Sequence, residues 1–261
     1  MMAAVRRSLD TVCRRTPGCA ALDDWPVDRL GKLVARVRSE PISAGFYYPT
    51  DDQWMSFQIG PDELMHLVQT NYMGPVALRE TDAAVRAYLD DRDFRPISRL
   101  VGESYAVLDP ATESADEFSE GLFLAVQCQD YRLPFSISGS VAERRQKLDA
   151  ALSDLNDREP DIYAPFSVEE YWRDGDGKPS HPCLYWPPPS ASHPQGPPLA
   201  PGTAYPDVPV LILSAEFDSV APAEEAAAIA RSFPNARHVV FANSLHVVAG
   251  NDMDDCAGGI V

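Results

Sequence analysis

Residues 208–218 read Val-Pro-Val-Leu-Ile-Leu-Ser-Ala-Glu-Phe-Asp. An apolar, β-branched run with proline near its start, where a missing amide is tolerated, predicts a buried strand that ends in an acid. Pro222-Ala223-Glu224-Glu225 then opens an alanine-rich helix that stops near Phe233-Pro234-Asn235, and Arg237-His238-Val239-Val240-Phe241 predicts the next strand. Strand, helix and strand form a βαβ unit, whose strands should be parallel and whose crossover should be right-handed. His246 follows the second strand as Asp218 follows the first, and the 28 residues between them accommodate the helix, the strand and their turns.

In open parallel sheets, the loops leaving the carboxyl ends of strands collect functional groups. A carboxylate beside the Nδ1 proton of an imidazole fixes the tautomer and stabilises the imidazolium, so that Nε2 can take a proton from a hydroxyl nucleophile. Asp218 and His246 are therefore the candidate catalytic residues. Alone, Asp218 also reads as the cap of the following helix and His246 as a turn residue. Their order and their joint position at two strand ends favour the acid–base pair.

Working toward the amino terminus, Pro179 to Pro209 holds eleven of the 24 prolines. Missing donors and fixed φ angles predict an extended connector there, although Cys183, Tyr185 and Trp186 predict that part of it packs against a body. Before it the pattern is helical. Val5, Leu9, Val12 and Cys13 share one face of a helix stopped by Pro17-Gly18, and Leu30, Leu33, Val34 and Val37 share another. Gly60-Pro61-Asp62-Glu63 opens a helix with proline and acids in its first turn, where exposed amides favour them. Residues 82–89, 97–108, 118–126 and 141–155 continue the helical pattern, and Asp252 onward allows a last helix. Gly45-Phe46-Tyr47-Tyr48-Pro49 reads as an aromatic loop, either surface packing or a pocket wall. No strand is predicted before residue 205.

With 261 residues, 45% of them apolar, the chain can bury a sizeable core. Its formal net charge of −17 opposes nucleic acid and anionic lipid as partners. The carboxylates lack calcium-loop spacing, and Cys13, Cys19, Cys128, Cys183 and Cys256 fall into no metal-ligand pattern, so no metal and no cofactor is expected. Cys13 and Cys19 flank a turn that can bring them into disulfide range, as suits an oxidising compartment, or they are two buried thiols. Cys128 with Cys183 is a further possible pair, with Cys256 left over. No apolar run has the length of a membrane span, and the first residues lack the apolar centre of a signal peptide.

The run from Val208 to Pro222, then Arg231-Ser-Phe-Pro-Asn-Ala-Arg-His-Val-Val-Phe-Ala-Asn-Ser-Leu-His-Val247 and Asp254-Asp-Cys-Ala257, resembles the C-terminal segment of tripeptidyl-aminopeptidase-like serine peptidases. These are α/β-hydrolases related to prolyl aminopeptidases. Ser8-Leu-Asp-Thr-Val-Cys-Arg-Arg-Thr-Pro-Gly-Cys19, Ala84-Val-Arg-Ala-Tyr-Leu89 and Gly121-Leu-Phe-Leu-Ala-Val-Gln-Cys-Gln-Asp-Tyr131 are similar to that family's helical cap. The resemblance implies an incomplete α/β-hydrolase fold in the α/β class: a helical cap over 1–178, the connector over 179–207 and the βαβ part of the core over 208–261. It implies Asp218 as acid and His246 as base of a Ser-Asp-His triad. The implied substrate is a short peptide with a free amino end, held by acids of the cap, for which Asp130, Glu169 and Glu170 are candidates beside the reading of each as an exposed carboxylate. An extracellular or cell-envelope location follows from the same resemblance.

The family's nucleophile stands in Gly-x-Ser-x-Gly before the cap, and nothing here precedes the cap. Gly102-Glu103-Ser104-Tyr105-Ala106 approaches that pattern, but it lacks the buried strand before and the uninterrupted helix after that an elbow needs, so Ser104 reads as a cap-helix serine. His66, His181, His193 and His238 read as helix, loop or strand residues without a metal role. The expectation is a hydrolase portion, inactive alone and completed by an N-terminal hydrolase segment. The alternative is a non-catalytic module that binds a peptide or partner.

Overall fold

A computed structural model describes residues 1–48, 52–70, 74–107, 119–174, 180–192, 194–196, 202–251 and 256–260. The chain folds into two compact units, one formed by Met1–Val107 with Ala204–Val261 and one by Leu108–Thr203.

In the first unit, helices α1 (Met2–Arg15), α2 (Pro17–Ala20), α3 (Pro26–Ser39), α4 (Pro61–Gln69), α5 (Pro75–Asp91) and α6 (Arg95–Val107) surround an aliphatic core. Val5 and Leu9 of α1, Leu30, Leu33, Val34 and Val37 of α3, and Leu64, Leu67 and Val68 of α4 are buried at the spacing of single helix faces. Proline at the first position starts α3, α4 and α5, where an amide would have no partner in the helix. Glu63 in the first turn of α4 accepts from the Gly60 amide at 2.7 Å.

Between α3 and α4 lie two strands that the sequence did not predict. Strands β1 (Ile42–Tyr48) and β2 (Gln53–Ile59) form an antiparallel hairpin in which Ile42 pairs with Ile59 and Tyr48 with Gln53. The aromatic stretch after Gly45 is thus strand rather than loop. Long-range packing creates it: Phe46 lies on α6 where Gly102 has no side chain, and a Cβ there would stand 2.2 Å from the ring. Trp54 crosses Gly45 in the same way, at 2.4 Å. Ser98 of α6 donates to the Gly45 carbonyl at 2.7 Å. Hairpin and α6 border an open groove of about 820 Å³ lined by Phe46, Tyr47, Trp54, Phe57 and Phe94, so the aromatic stretch is also a pocket wall.

The end of the chain supplies β3 (Val210–Ala215), α11 (Ala223–Ala230), β4 (Ala236–Phe241) and α12 (Val248–Asn251). The strands are parallel, with Val210 beside Ala236 and Ala215 beside Phe241. This small parallel sheet among helices belongs to the α/β class. Residue alternation and register put Leu211, Leu213, Ala215, Val239 and Phe241 on one face and Val210, Ile212, Ser214, His238 and Val240 on the other. Covering is uneven: Ala215, Val248 and Ala257 form a small cluster with Leu213 and Phe241, whereas Leu211 and Val240 are exposed and α11 buries no residue.

The second unit holds α7 (Glu120–Gln129), α8 (Val141–Arg158), α9 (Val168–Asp174) and α10 (Ser180–Cys183). Cys128, Phe135, Ile137, Leu148, Cys183 and Leu184 form its core, which Trp186 joins. Buried Arg144 donates to the carbonyls of Gly139, Cys183, Leu184, Trp186 and Ile137. It thereby ties the turn before α8 to the end of α10 and the start of the proline-rich stretch, satisfying carbonyls of both that no regular element pairs. Ser140 and Glu143 cap α8 reciprocally, at 3.3 and 2.7 Å. Both disulfides form, Cys13–Cys19 in the first unit and Cys128–Cys183 in the second, each with Cα atoms 5.1 Å apart. Cys256 is free and exposed.

Candidate active site

Strand β3 ends at Ala215, and the three residues that follow turn the chain toward α11. The Glu216 amide donates to the Phe241 carbonyl at 2.9 Å and the Phe217 amide to that of Ser244 at 3.0 Å. These bonds continue the sheet pairing past the strand ends, so the loop after β3 and the loop after β4 descend side by side. Asp218 lands in the first loop and His246 in the second.

Asp218 Oδ2 lies 2.8 Å from His246 Nδ1. The other oxygen, Oδ1, accepts from the amides of Val220 at 2.9 Å and Ala221 at 2.8 Å. Of the two readings of Asp218, the partner of the histidine is the one observed: the two amides belong to the turn before α11, whose N-cap Pro222 receives no side-chain bond, so Asp218 closes that turn and does not cap the helix. The carboxylate is 7% exposed and the imidazole 27%. Asp218 thus spends one oxygen on two backbone donors and the other on the imidazole, at a site largely shielded from water. In the tautomer that carries its proton on Nδ1, this contact is a donation to Asp218 and the lone pair of the ring stands on Nε2. Such an imidazole is set up to accept a proton there.

The backbone at His246 is itself unusual. Val247 has φ 56° and Asn243 φ 57°. Asparagine tolerates the left-handed region, but a β-branched residue is held there at a cost on the order of 1–3 kcal/mol. This strain follows the imidazole directly in sequence.

Arg15, in the last turn of α1, completes the arrangement. Its guanidinium spans Glu216 at 2.6 and 2.9 Å and Asn243 Oδ1 at 2.8 Å, and lies over the Phe217 ring 5.6 Å from its centroid. The Asn243 amide also donates to Glu216, at 2.9 Å. Hydrogen bonding to Arg15 holds the Glu216 carboxyl below its ordinary pKa. Sequence reasoning passed over Arg15, because its partners lie 201 and 228 positions away.

Ser104 sits inside α6, 6% exposed, with its hydroxyl donating to the Val101 carbonyl at 2.7 Å. A hydroxyl turned into its own helix is not presented as an elbow nucleophile is. His66 stacks on Tyr105 with ring centroids 4.1 Å apart, and His238 Nε2 pairs with buried Ser214 Oγ at 2.8 Å. His181 is half-buried in α10, and His193 lies outside the described residues, as do Asp252 to Asp255 of the last predicted helix. Of the three acids considered for a substrate amino group, Glu170 spends an oxygen on the Ser167 amide at 2.7 Å. Glu169 is exposed, and Asp130 is half-buried at the end of α7. Among the described residues, no group of three or more His, Cys, Asp or Glu could hold a metal ion, and no helix is long and apolar enough to cross a membrane.

A parallel βαβ unit with aspartate after one strand and histidine after the next is an arrangement of α/β-hydrolases. Residues 169–261 match the family model described as TAP-like protein, an α/β-hydrolase family. The chain resembles the C-terminal portion of a TAP-like α/β-hydrolase. Neither the curated proteins nor the solved structures returned a match.

Proposed function

We propose that this chain is the cap and terminal βαβ portion of a serine exopeptidase-like α/β-hydrolase, in which Asp218 orients and stabilises His246 and His246 is the general base. The 2.8 Å contact between Nδ1 and Asp218, with the second carboxylate oxygen tied to two amides, carries this reading. The serine and at least one oxyanion-hole amide come from a complementing hydrolase segment that seats against the small sheet. Strand exposure supports that step. Val210 to Leu213 is composed like a fully buried parallel strand, yet none of the four is buried and Leu211 is 43% exposed. In the completed enzyme, Nε2 takes the serine proton as the oxygen attacks the peptide carbonyl, and returns it to the leaving amine. The substrate is a short peptide with a free amino end, and the location is extracellular or in the cell envelope, both by resemblance.

A second reading is a non-catalytic module that binds a peptide or partner. The aromatic groove between the hairpin and α6 favours it, with Trp54 66% and Tyr47 48% exposed.

One experiment separates them. The chain alone should remain unlabelled by a fluorophosphonate probe. Co-expression with a segment carrying strand, Gly-x-Ser-x-Gly and helix should produce labelling on that segment's serine, lost on His246→Ala. Labelling of the isolated chain, abolished by Ser104→Ala, would overturn the proposal, and a stable complex that never reacts would leave the binding module.

A further inference from the structure

We propose that Arg15 is a positioning residue for the Asp218–His246 pair, acting as a clamp across the two loops that carry it. The inference rests on the reading of that pair as an acid–base dyad.

Past the strand ends the Glu216 and Phe217 amides still bond across to Phe241 and Ser244, but among the described residues no backbone bond joins Asp218 or His246 across the two loops, so the pairing stops short of the dyad. Here the separation of the loops decides whether the acid and the imidazole touch. Glu216 stands two residues before Asp218 and Asn243 three before His246, so the guanidinium grips each loop close to its functional side chain. A planar fork of donors can do this, because one side meets both oxygens of Glu216 while Nη1 also reaches the Asn243 amide oxygen. Lysine offers a single ammonium and cannot span both loops with the same geometry. Phe217 under the guanidinium fixes the plane of the fork.

The clamp is anchored at its other end as well. Arg15 is the last residue of α1, whose terminal turn is closed by the Thr16 hydroxyl on the Val12 carbonyl at 2.8 Å. Two residues earlier, Cys13 is joined to Cys19 on α2. The side chain therefore projects from a backbone that is fixed on both sides. Arg15 has no contact with a reacting atom. Its effect on chemistry passes through where the two loops hold Asp218 and His246.

The test uses the full chain and nuclear magnetic resonance of the His246 ring, which does not require a nucleophile. Wild type should show one tautomer with the proton on Nδ1, exchanging slowly with water. Asp218→Asn should abolish that signature. Arg15→Ala should speed Nδ1 proton exchange at least tenfold and mix the tautomers, with circular dichroism unchanged and the thermal midpoint lowered only by the loss of one exposed ion pair; a merely structural role would lower the midpoint and leave the ring as it is in wild type. Arg15→Lys should recover only part of the effect, whereas the exchanged pair Arg15→Glu with Glu216→Arg should recover more. A ring in Arg15→Ala identical to wild type, while Asp218→Asn alters it, would overturn the clamp alone. If Asp218→Asn also changes nothing, the dyad fails and the clamp with it.

Discussion

At the scale of single residues, the site is built on carboxylates that each serve more than one partner. Asp218 divides its oxygens between two amides and an imidazole, and Glu216 divides its own between Arg15 and the Asn243 amide. The second case has a pH signature. Arg15 depresses the Glu216 pKa in the folded state, so the ionised pair contributes stability above the unfolded value near 4.5 and loses it as pH falls through the lower folded value. Arg15→Ala should therefore lower stability in urea denaturation at neutral pH, and by less well below pH 4, where the Glu216 charge is gone and only the Asn243 bond is lost. A cost independent of pH would place the role of Arg15 in its packing on Phe217 instead. The juxtaposition of Asp218 and His246 was legible in the sequence, because strand ends in a parallel unit fix where side chains emerge. The role of Arg15 was not, since no local pattern marks an arginine whose partners are two hundred positions away.

At the scale of elements, helices were legible where proline, acids and 3.6-residue spacing coincide, as at Pro61-Asp62-Glu63. The β1–β2 hairpin was hidden because β2 is exposed along most of its length and shows no alternation for periodicity to detect. What stabilises it lies elsewhere in the chain, at Gly102 and Ser98 of α6. The disulfides were visible as possibilities only, since spacing permits a pairing without requiring it. Their loops differ greatly, with separations of 6 residues for Cys13–Cys19 and 55 for Cys128–Cys183. Restriction of the unfolded chain predicts contributions of about 2 and about 4 kcal/mol respectively. Replacing Cys128 and Cys183 by serine should lower the denaturation midpoint of the second unit more than the corresponding change at Cys13 and Cys19 lowers that of the first. Equal losses, read by hydrogen exchange resolved to each unit, would contradict the loop-length account.

At the scale of the molecule, the first unit exposes surface of a kind that folded proteins usually cover. Leu211 and Val240 are 43% and 49% exposed on a two-stranded sheet, and Ile229 of the helix beside it is 57% exposed. Two strands alone are marginal, and unpaired edges invite pairing. Replacing Leu211 and Val240 by threonine should leave stability within about 1 kcal/mol, because little burial is lost, and should reduce binding of a hydrophobic dye and concentration-dependent association in sedimentation. Unchanged association would locate the adhesive surface elsewhere.

The first unit is also assembled from both extremities of the chain, with the second unit intervening between Val107 and Ala204. During translation, Glu216 follows Arg15 by 201 positions. At ribosomal speeds, roughly 10–40 seconds separate the two. The apolar face of α1, with Val5 and Leu9, can bury against α3, α4 and α5 long before then, so the guanidinium fork is already mounted on a packed helix when the two loops that it grips arrive.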